Sequence, residues 1–311
     1  MSDFIISRWN FSSGTAQLEA NQAERITAKN WYHCQRDQPG LRGWLMENHI
    51  PEGIVDSLLA DDTRPRFESY DDDNFLIILR GINLNQGSEP DDMLSLRILW
   101  YKGALISTRK VPSRAVSTLI TQLENGKGPN NLDAVLMSMI NGINRLIADF
   151  LTPIEDKISE LESEEQASLD TLNQLHFRLL KLRRYLKPQR YVFEDLISAD
   201  IAMLTHQKTQ VKNGLDLILR INESIEFYMD QINHQLANLA QKQSEIMNRN
   251  TYLFSIIAGI FLPASFFTGL LGVNIGGMPG VDSPMAFTLF CVALVIVSVI
   301  EVVILRKLRF I

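Results

Sequence analysis

Residues 252–271 read YLFSIIAGIFLPASFFTGLL and contain no Asp, Glu, Lys or Arg. At 1.5 Å of rise per residue, twenty helical residues reach about 30 Å, the thickness of the hydrocarbon core of a bilayer. The uncharged run is wider still, extending over the 32 residues 250–281. A second apolar stretch, 284–305, reads PMAFTLFCVALVIVSVIEVVIL and carries Glu301 as its single charge. The C-terminal part therefore reads as an all-α membrane domain: two transmembrane helices joined by a short loop, 272–283, GVNIGGMPGVDS.

The preceding part is of a different kind, and the mean hydropathy of −0.01 over 311 residues averages two unlike halves. Of 30 Lys and Arg and 36 Asp and Glu, only four and two respectively lie from Arg249 onward, which leaves the earlier part near −8. Such a field gathers cations and has the wrong sign for gripping nucleic acid through its phosphates, so nucleic acid is excluded as a partner. The two cysteines, Cys34 and Cys291, supply neither a disulfide framework nor a CxxC knuckle. The opening MSDFIISRWNFSSG lacks the basic n-region and apolar core of a cleaved signal peptide. No P-loop, HExxH or nucleophile–base motif is visible, so neither an enzyme nor a catalytic cofactor is expected.

Lys242 and Arg249 precede the first span, and Arg306, Lys307 and Arg309 follow the second, while the loop between holds no basic residue. The excess of positive charge places both flanks, and with them both termini, on the cytoplasmic side. Residues 1–135 form an α+β cytoplasmic domain. Short apolar runs at 75–80 (FLIILR), 94–101 (LSLRILWY) and 104–109 (ALISTR) predict strands, the last two joined by a hairpin at Lys102-Gly103. A helix opens at an N-cap serine, Ser113, so the domain combines helices with a partly antiparallel sheet. Residues 136–209 are a cytoplasmic helical region, whose amphipathic segments 132–161 and 169–204 have the second interrupted near Pro188. Between 210 and 271 the only proline is Pro263, which predicts one continuous helix of 62 residues, roughly 90 Å long, continuing into the first span. A helix of that length needs neighbours, from its own chain or from copies of itself. The second span, 284–305, and a basic tail, 306–311, complete the chain.

Counting back from Gly272 in threes and fours gives Gly269, Ser265, Leu262, Gly259, Ser255, Thr251, Asn248, Glu245 and Gln241. This face is small or hydroxylated within the bilayer and polar before it, whereas Phe254, Ile257, Phe261, Phe266 and Leu270 lie elsewhere. Small residues serve close helix packing. The polar continuation through Thr251, Asn248, Glu245 and Gln241 favours a water-filled axis instead, and since two spans cannot enclose a pore, a pore requires a cyclic homo-oligomer.

Gly272-Val273-Asn274 stands at the outer end of the first span. With an acidic α/β domain, a very long helix, two C-terminal spans, a short external loop and a basic tail, the layout resembles the CorA-type divalent-metal transporter family. That family carries Gly-Met-Asn here, and its magnesium members tend to continue Met-Pro-Glu. Val273 and the sequence Met278-Pro279-Gly280 depart from both patterns in the manner of ZntB-type zinc transporters. The resemblance implies a funnel-shaped, pentameric inner-membrane transporter of Zn2+ or other divalent cations, coupled to protons. Gly272, Val273 and Asn274 would form its pore mouth. Carboxamide oxygens of an Asn274 ring can hold a hydrated cation through its water shell. Taken without the family, Asn274 is equally a turn residue tolerant of left-handed geometry. Gly280 removes an acidic loop charge that Asp282 partly restores.

Zinc prefers nitrogen and sulfur ligands but also accepts oxygen, and magnesium takes oxygen. Glu226, Asp230 and His234 recur at i, i+4, i+8 on one helix face and form a candidate zinc site; a solvated or subunit-facing polar stripe is the plainer reading. His33 and Cys34 are adjacent, point apart and read as structural. Glu301, an intramembrane acid, is a functional candidate by default. It lies only about 6 Å from the cytoplasmic boundary, where pairing with Arg249 of an adjacent helix competes with a proton-binding role. The competing readings are a magnesium or cobalt channel and, from a different class, a membrane-tethered structural coiled coil.

Overall fold

The structure is a computed structural model that describes residues 4–61, 63–163, 168–273, 280 and 283–307, without the side chains of 162 and 163. It divides into two compact units, Met1–Gln235 and Leu236–Ile311. In the first, seven strands form one mixed sheet: β1 (Ile5–Asn10), β2 (Gln17–Glu19), β3 (Asn30–Gln35), β4 (Arg66–Ser69), β5 (Phe75–Gly81), β6 (Leu94–Tyr101) and β7 (Ala104–Arg109). Their order is β2-β1-β3-β7-β6-β5-β4, and every neighbouring pair is antiparallel except β3 with β7.

The apolar runs at 75–80, 94–101 and 104–109 are the central strands. They carry few polar residues because the sheet is covered on both faces. On one face α1 (Leu41–Glu47) and α2 (Glu52–Leu59) place Leu41, Leu45, Val55 and Leu58 against Leu76, Ile78, Leu99 and Ile106. On the other lie α4 (Leu132–Ser163) and α5 (Leu169–Ser198), with α3 (Arg114–Glu124) packed on α4. The β6–β7 turn has positive φ at both Lys102 (48°) and Gly103 (73°), the I′ geometry whose twist matches that of the strands it joins. Ser113 stands at the N-cap of α3, but its hydroxyl makes no capping bond.

Two expectations about the helices are corrected. α5 runs unbroken through Pro188. A proline inside a helix removes one hydrogen bond and crowds the preceding turn, at about 3 kcal/mol. Burying Leu186, Val192 and Phe193 on either side returns roughly 1.5–3 kcal/mol each. The helix then stops at Ser198, and a separate short helix, α6 (Ala202–His206), precedes α7 (Lys208–Gly272), a single helix of 65 residues.

The buried positions of α5, Leu172, Leu175, Leu179, Leu182, Leu186, Gln189, Phe193 and Leu196, alternate in threes and fours. So do Val211, Gly214, Ile218, Ile221, Ile225, Tyr228 and Ile232 of α7. This heptad rhythm is that of coiled-coil packing. Phe193 lies at Gly214, the Leu186 carbonyl accepts from Asn222 Nδ2 (3.2 Å), and Arg183 faces Glu226, so α5 and α7 run antiparallel.

A polar chain crosses these apolar seams. Gln189 Oε1 accepts from the Arg80 amide in β5 (2.8 Å), its Nε2 donates to Asn144 Oδ1 (3.4 Å), and Asn144 Nδ2 donates to the Gly214 carbonyl (3.3 Å). A Cβ at Gly214 would stand 2.6 Å from Phe193 Cε1, inside a ring that has no room to turn. Gly214→Ala gains about 1 kcal/mol of helix propensity and loses about 1–3 kcal/mol to overpacking. The expected outcome is a lower melting temperature, read by tryptophan fluorescence, since Trp9, Trp31, Trp44 and Trp100 all lie in this unit.

Candidate functional site: the polar face of the membrane-spanning helix

Among the described residues, three helices are long and apolar enough to cross a membrane. Leu132–Leu161 is half buried against the sheet and is a core helix of the first unit. The apolar windows of α7 and of α8 (Ala286–Lys307) have no buried share at all. Phe254 is 72% and Phe287 77% exposed, and apolar surface of this extent requires lipid or protein to cover it.

Because α7 is helical without interruption from Lys208 to Gly272, it holds Gln241, Glu245, Asn248, Thr251, Ser255, Gly259, Leu262, Ser265, Gly269 and Gly272 along one side. All are exposed. Gln241 Nε2 donates to Glu245 Oε1 (2.9 Å), and the Ser255 hydroxyl donates to the Thr251 carbonyl (2.8 Å). A Cβ built on Gly259, Gly269 or Gly272 meets nothing within 4 Å among the described residues. Among the described residues, therefore, these glycines serve no close approach. The stripe advances at about 3.4 residues per turn, fewer than the helix's own 3.6, so it faces a straight axis only where helices wind left-handed about that axis.

Val273 is exposed at the end of α7. Asn274, with Met278, Pro279, Asp282 and Arg309, lies outside the described residues. Gly280 has φ +91°, a conformation glycine adopts at no steric cost, so the position formally occupied by glutamate in Met-Pro-Glu loops carries a backbone that disfavours a side chain. A cavity of about 670 Å3 between the last turn of α7 and the start of α8 is lined by Leu271, Met285, Phe287 and Phe290 among others, with no titratable group among the described residues.

The charged candidates are placed apart. One carboxylate oxygen of Glu301, Oε2, is buried without a hydrogen-bond partner, and no ion pair joins it to Arg249 among the described residues of the chain. Glu226 faces α5, 3.8 Å from Lys187 Nζ and 3.9 Å from Arg183 Nη2. Asp230 and His234 are exposed on the following turns. No three His, Cys, Asp or Glu side chains converge on a metal-sized site among the described residues. Within one chain, then, the Glu226–Asp230–His234 face is a row of groups rather than a closed ligand set. His33 is fully buried, with Nδ1 2.8 Å from Ser107 Oγ, which also accepts from Trp31 Nε1 at 2.8 Å. Burial, then the nearby Arg109 charge, push the His33 pKa down to about 3. Burial pushes the Cys34 thiol up. Both are core residues.

Sequence reasoning passed over Arg80 and Arg97, which sit inside the apolar strands FLIILRG and LSLRILWY. The signal was a lone arginine in a run otherwise fit for a core. Arg97 is completely buried; desolvation, then Arg36, Arg80 and Arg66, lower its pKa to about 9.

The sequence matches the family of CorA-like Mg2+ transporter proteins over residues 28–307, and the chain belongs to that family. Among its relatives is the zinc transport protein ZntB of Vibrio parahaemolyticus, 44% identical over 99% of this chain and 97% of that protein. The divalent cation transporter CmaX of Pseudomonas aeruginosa is 36% identical over 90% and 86%. In three dimensions the chain is similar to the full-length CmaX protein, with a TM-score of 0.85, 30% identity and 99% of each chain covered. It is also similar to the ZntB cytoplasmic domain from Vibrio parahaemolyticus, with a TM-score of 0.74, 41% identity, and 78% of this chain and 99% of that one covered.

Two outcomes follow for the first unit. The unfolded chain protonates His33 near pH 6.5 and the folded one only near 3, so this residue withdraws stability as pH falls below 6.5, at up to about 1.4 kcal/mol per unit. His33→Asn should flatten that limb between pH 6.5 and 5, as read from tryptophan fluorescence melts of both proteins. Glu226 is half exposed, so Glu226→Gln in metal-free buffer should change stability by less than about 1 kcal/mol in the same assay.

Proposed function

We propose that the protein carries zinc across the bacterial inner membrane as a homopentamer, with both termini cytoplasmic, through a central pore lined by the membrane-spanning part of α7. The observation that carries this reading is the stripe from Gln241 to Gly272, mostly polar or small and exposed along its whole length among the described residues. The 44% identity to a zinc transport protein supports zinc as cargo. Val273 and Gly280, where magnesium members of the family have methionine and glutamate, support the same choice.

The chemistry follows from the residues. The acidic part before Arg249 raises the local concentration of cations. At the opposite mouth, carboxamide oxygens of Asn274 accept hydrogen bonds from the waters of a hydrated cation, so the ion is held without being stripped of its shell. Along the stripe, hydroxyls and bare backbone replace side chains that would bind zinc too tightly to release it. Glu301, an acidic residue within the apolar helix α8, is the group assigned to proton coupling by its place in that helix. Glu226, Asp230 and His234, brought together between subunits, form a regulatory zinc site.

Zinc and magnesium uptake into proteoliposomes, with and without an imposed pH gradient, tests this. Zinc flux should follow the gradient, Asn274→Ala should reduce it at least about tenfold, and Glu301→Gln should remove its dependence on the gradient while zinc still binds. Magnesium flux indifferent to pH would replace this reading with a magnesium or cobalt channel. Flux unchanged by Asn274→Ala would leave the small-residue face a packing surface only. For the regulatory site, zinc should protect the wild type from protease and fail to protect Asp230→Asn.

A further inference from the structure

A cavity of about 190 Å3 opens at one end of the central strands β3, β7, β6 and β5, lined by Arg36, Arg80 and Lys110 together with Asp61, Ser95 and Val111 among others. Arg36 follows β3 directly, and its amide donates to the Arg109 carbonyl (2.8 Å), which fixes it beside the end of β7. The residue is 8% exposed, and its guanidinium Nε and Nη1 are buried with no acceptor among the described residues. Two carboxylates among the described lining residues are paired: Asp61 with the ammonium of Lys110, itself at the cavity, and Asp92 with Lys181 Nζ at 3.0 Å. Arg80 reaches the Thr63 carbonyl (2.6 Å) and the Met93 carbonyl (3.2 Å) and lies over the Tyr185 ring. Behind them Arg97 donates to the carbonyls of Leu58 (2.7 Å) and Asp61 (3.2 Å).

We propose that this cavity binds a phosphate-type oxyanion, held by the Arg36 guanidinium with Lys110 at the rim. A buried guanidinium with unmet N–H groups is unfavourable. Asp61 and Asp37 offset part of its charge and Arg80 opposes it, but the buried Nε–H and Nη1–H still lack an acceptor among the described residues. These two N–H groups leave the guanidinium in different directions, so each needs its own acceptor oxygen, a demand that an oxyanion with its waters meets and a spherical anion does not. Among the described lining residues Arg36, Arg80 and Lys110 outnumber Asp61 and Asp92, so the cavity's charge favours an anion. Burial, and after it the charges of Arg36, Arg80 and Arg66, lowers the pKa of Arg97 behind them. The volume admits a phosphate with a few waters and not a nucleoside, so a nucleotide would insert its terminal phosphoryl group and leave the rest in solvent.

The test uses the intact protein in nanodiscs of neutral phosphatidylcholine, with EDTA present so that no metal phosphate forms. Tryptophan fluorescence melts are recorded against inorganic phosphate, with sodium chloride holding the ionic strength constant. Phosphate should raise the melting temperature saturably, and Arg36→Gln should abolish the rise. Without phosphate, Arg36→Gln should melt no lower than wild type, because it removes a buried guanidinium whose Nε–H and Nη1–H have no acceptor among the described residues; a purely structural arginine would give a lower melting temperature in both conditions. Lys110→Gln, at the exposed rim, should weaken phosphate binding about tenfold, and it decides the matter if Arg36→Gln does not fold. ATP competing for the same Arg36-dependent shift identifies a phosphoryl group on a nucleotide, and response to phosphate alone identifies the free ion. An equal shift with chloride in place of phosphate, or a phosphate shift that survives Arg36→Gln and Lys110→Gln, overturns the proposal.

Discussion

Gln189 has no exposed surface, and its carboxamide is bonded on one side to the backbone of a strand and on the other to Asn144 of α4, which in turn reaches the backbone of α7. Heptad seams of leucine and isoleucine do not by themselves specify register, since a slip of seven residues restores nearly the same contacts. A slip here would leave a buried amide unmatched, at about 1–3 kcal/mol for each lost partner. One polar chain thus sets how α4, α5 and α7 stand against each other and against β5. The absent side chain of Gly214 is the condition for it, because any larger residue would push Phe193 away and α7 with it.

The same helix then changes solvent. Up to Ile232 its three-and-four rhythm selects apolar residues that bury against the chain's own helices. From Gln241 a similar rhythm selects mostly small and polar ones, where the helix is largely uncovered among the described residues. A repeating pattern states which residues face together and is silent on what they face. In a member of the CorA-like transporter family, the pore proposed above is what would give the second pattern its meaning.

The legible and illegible parts of the sequence divide along physical lines. The two apolar C-terminal helices, the single long helix and the central strands are legible because one dominant requirement, either a long uncharged run or a doubly covered sheet, fixes the composition of each. The break expected at Pro188 did not occur, since a proline's local cost is outweighed by flanking contacts that only the tertiary structure supplies. Ser113 carried the right residue for a cap without the bond, which depends on a rotamer. The strands β1 and β3 went unmarked because IISRWN and NWYHCQ mix polar and apolar residues. The polar members of NWYHCQ answer to distant partners, as His33 does to Ser107. Of the candidate site, the stripe followed from helical periodicity alone. The partner choice of Glu226, which faces Lys187 and Arg183 of α5, depends on a helix nearly forty residues away in the chain and could not be read from i, i+4 spacing.

The open space above Gly259, Gly269 and Gly272 bears on how the protein is handled as well as on what it does. A residue without a neighbour contributes no cohesion, so the rigidity of the membrane-spanning segments is borrowed from their surroundings. Acyl chain length, detergent choice and the crowding of protein in the bilayer thereby become structural variables for that half of the chain. The half built on Gln189 and its seams carries its order within itself.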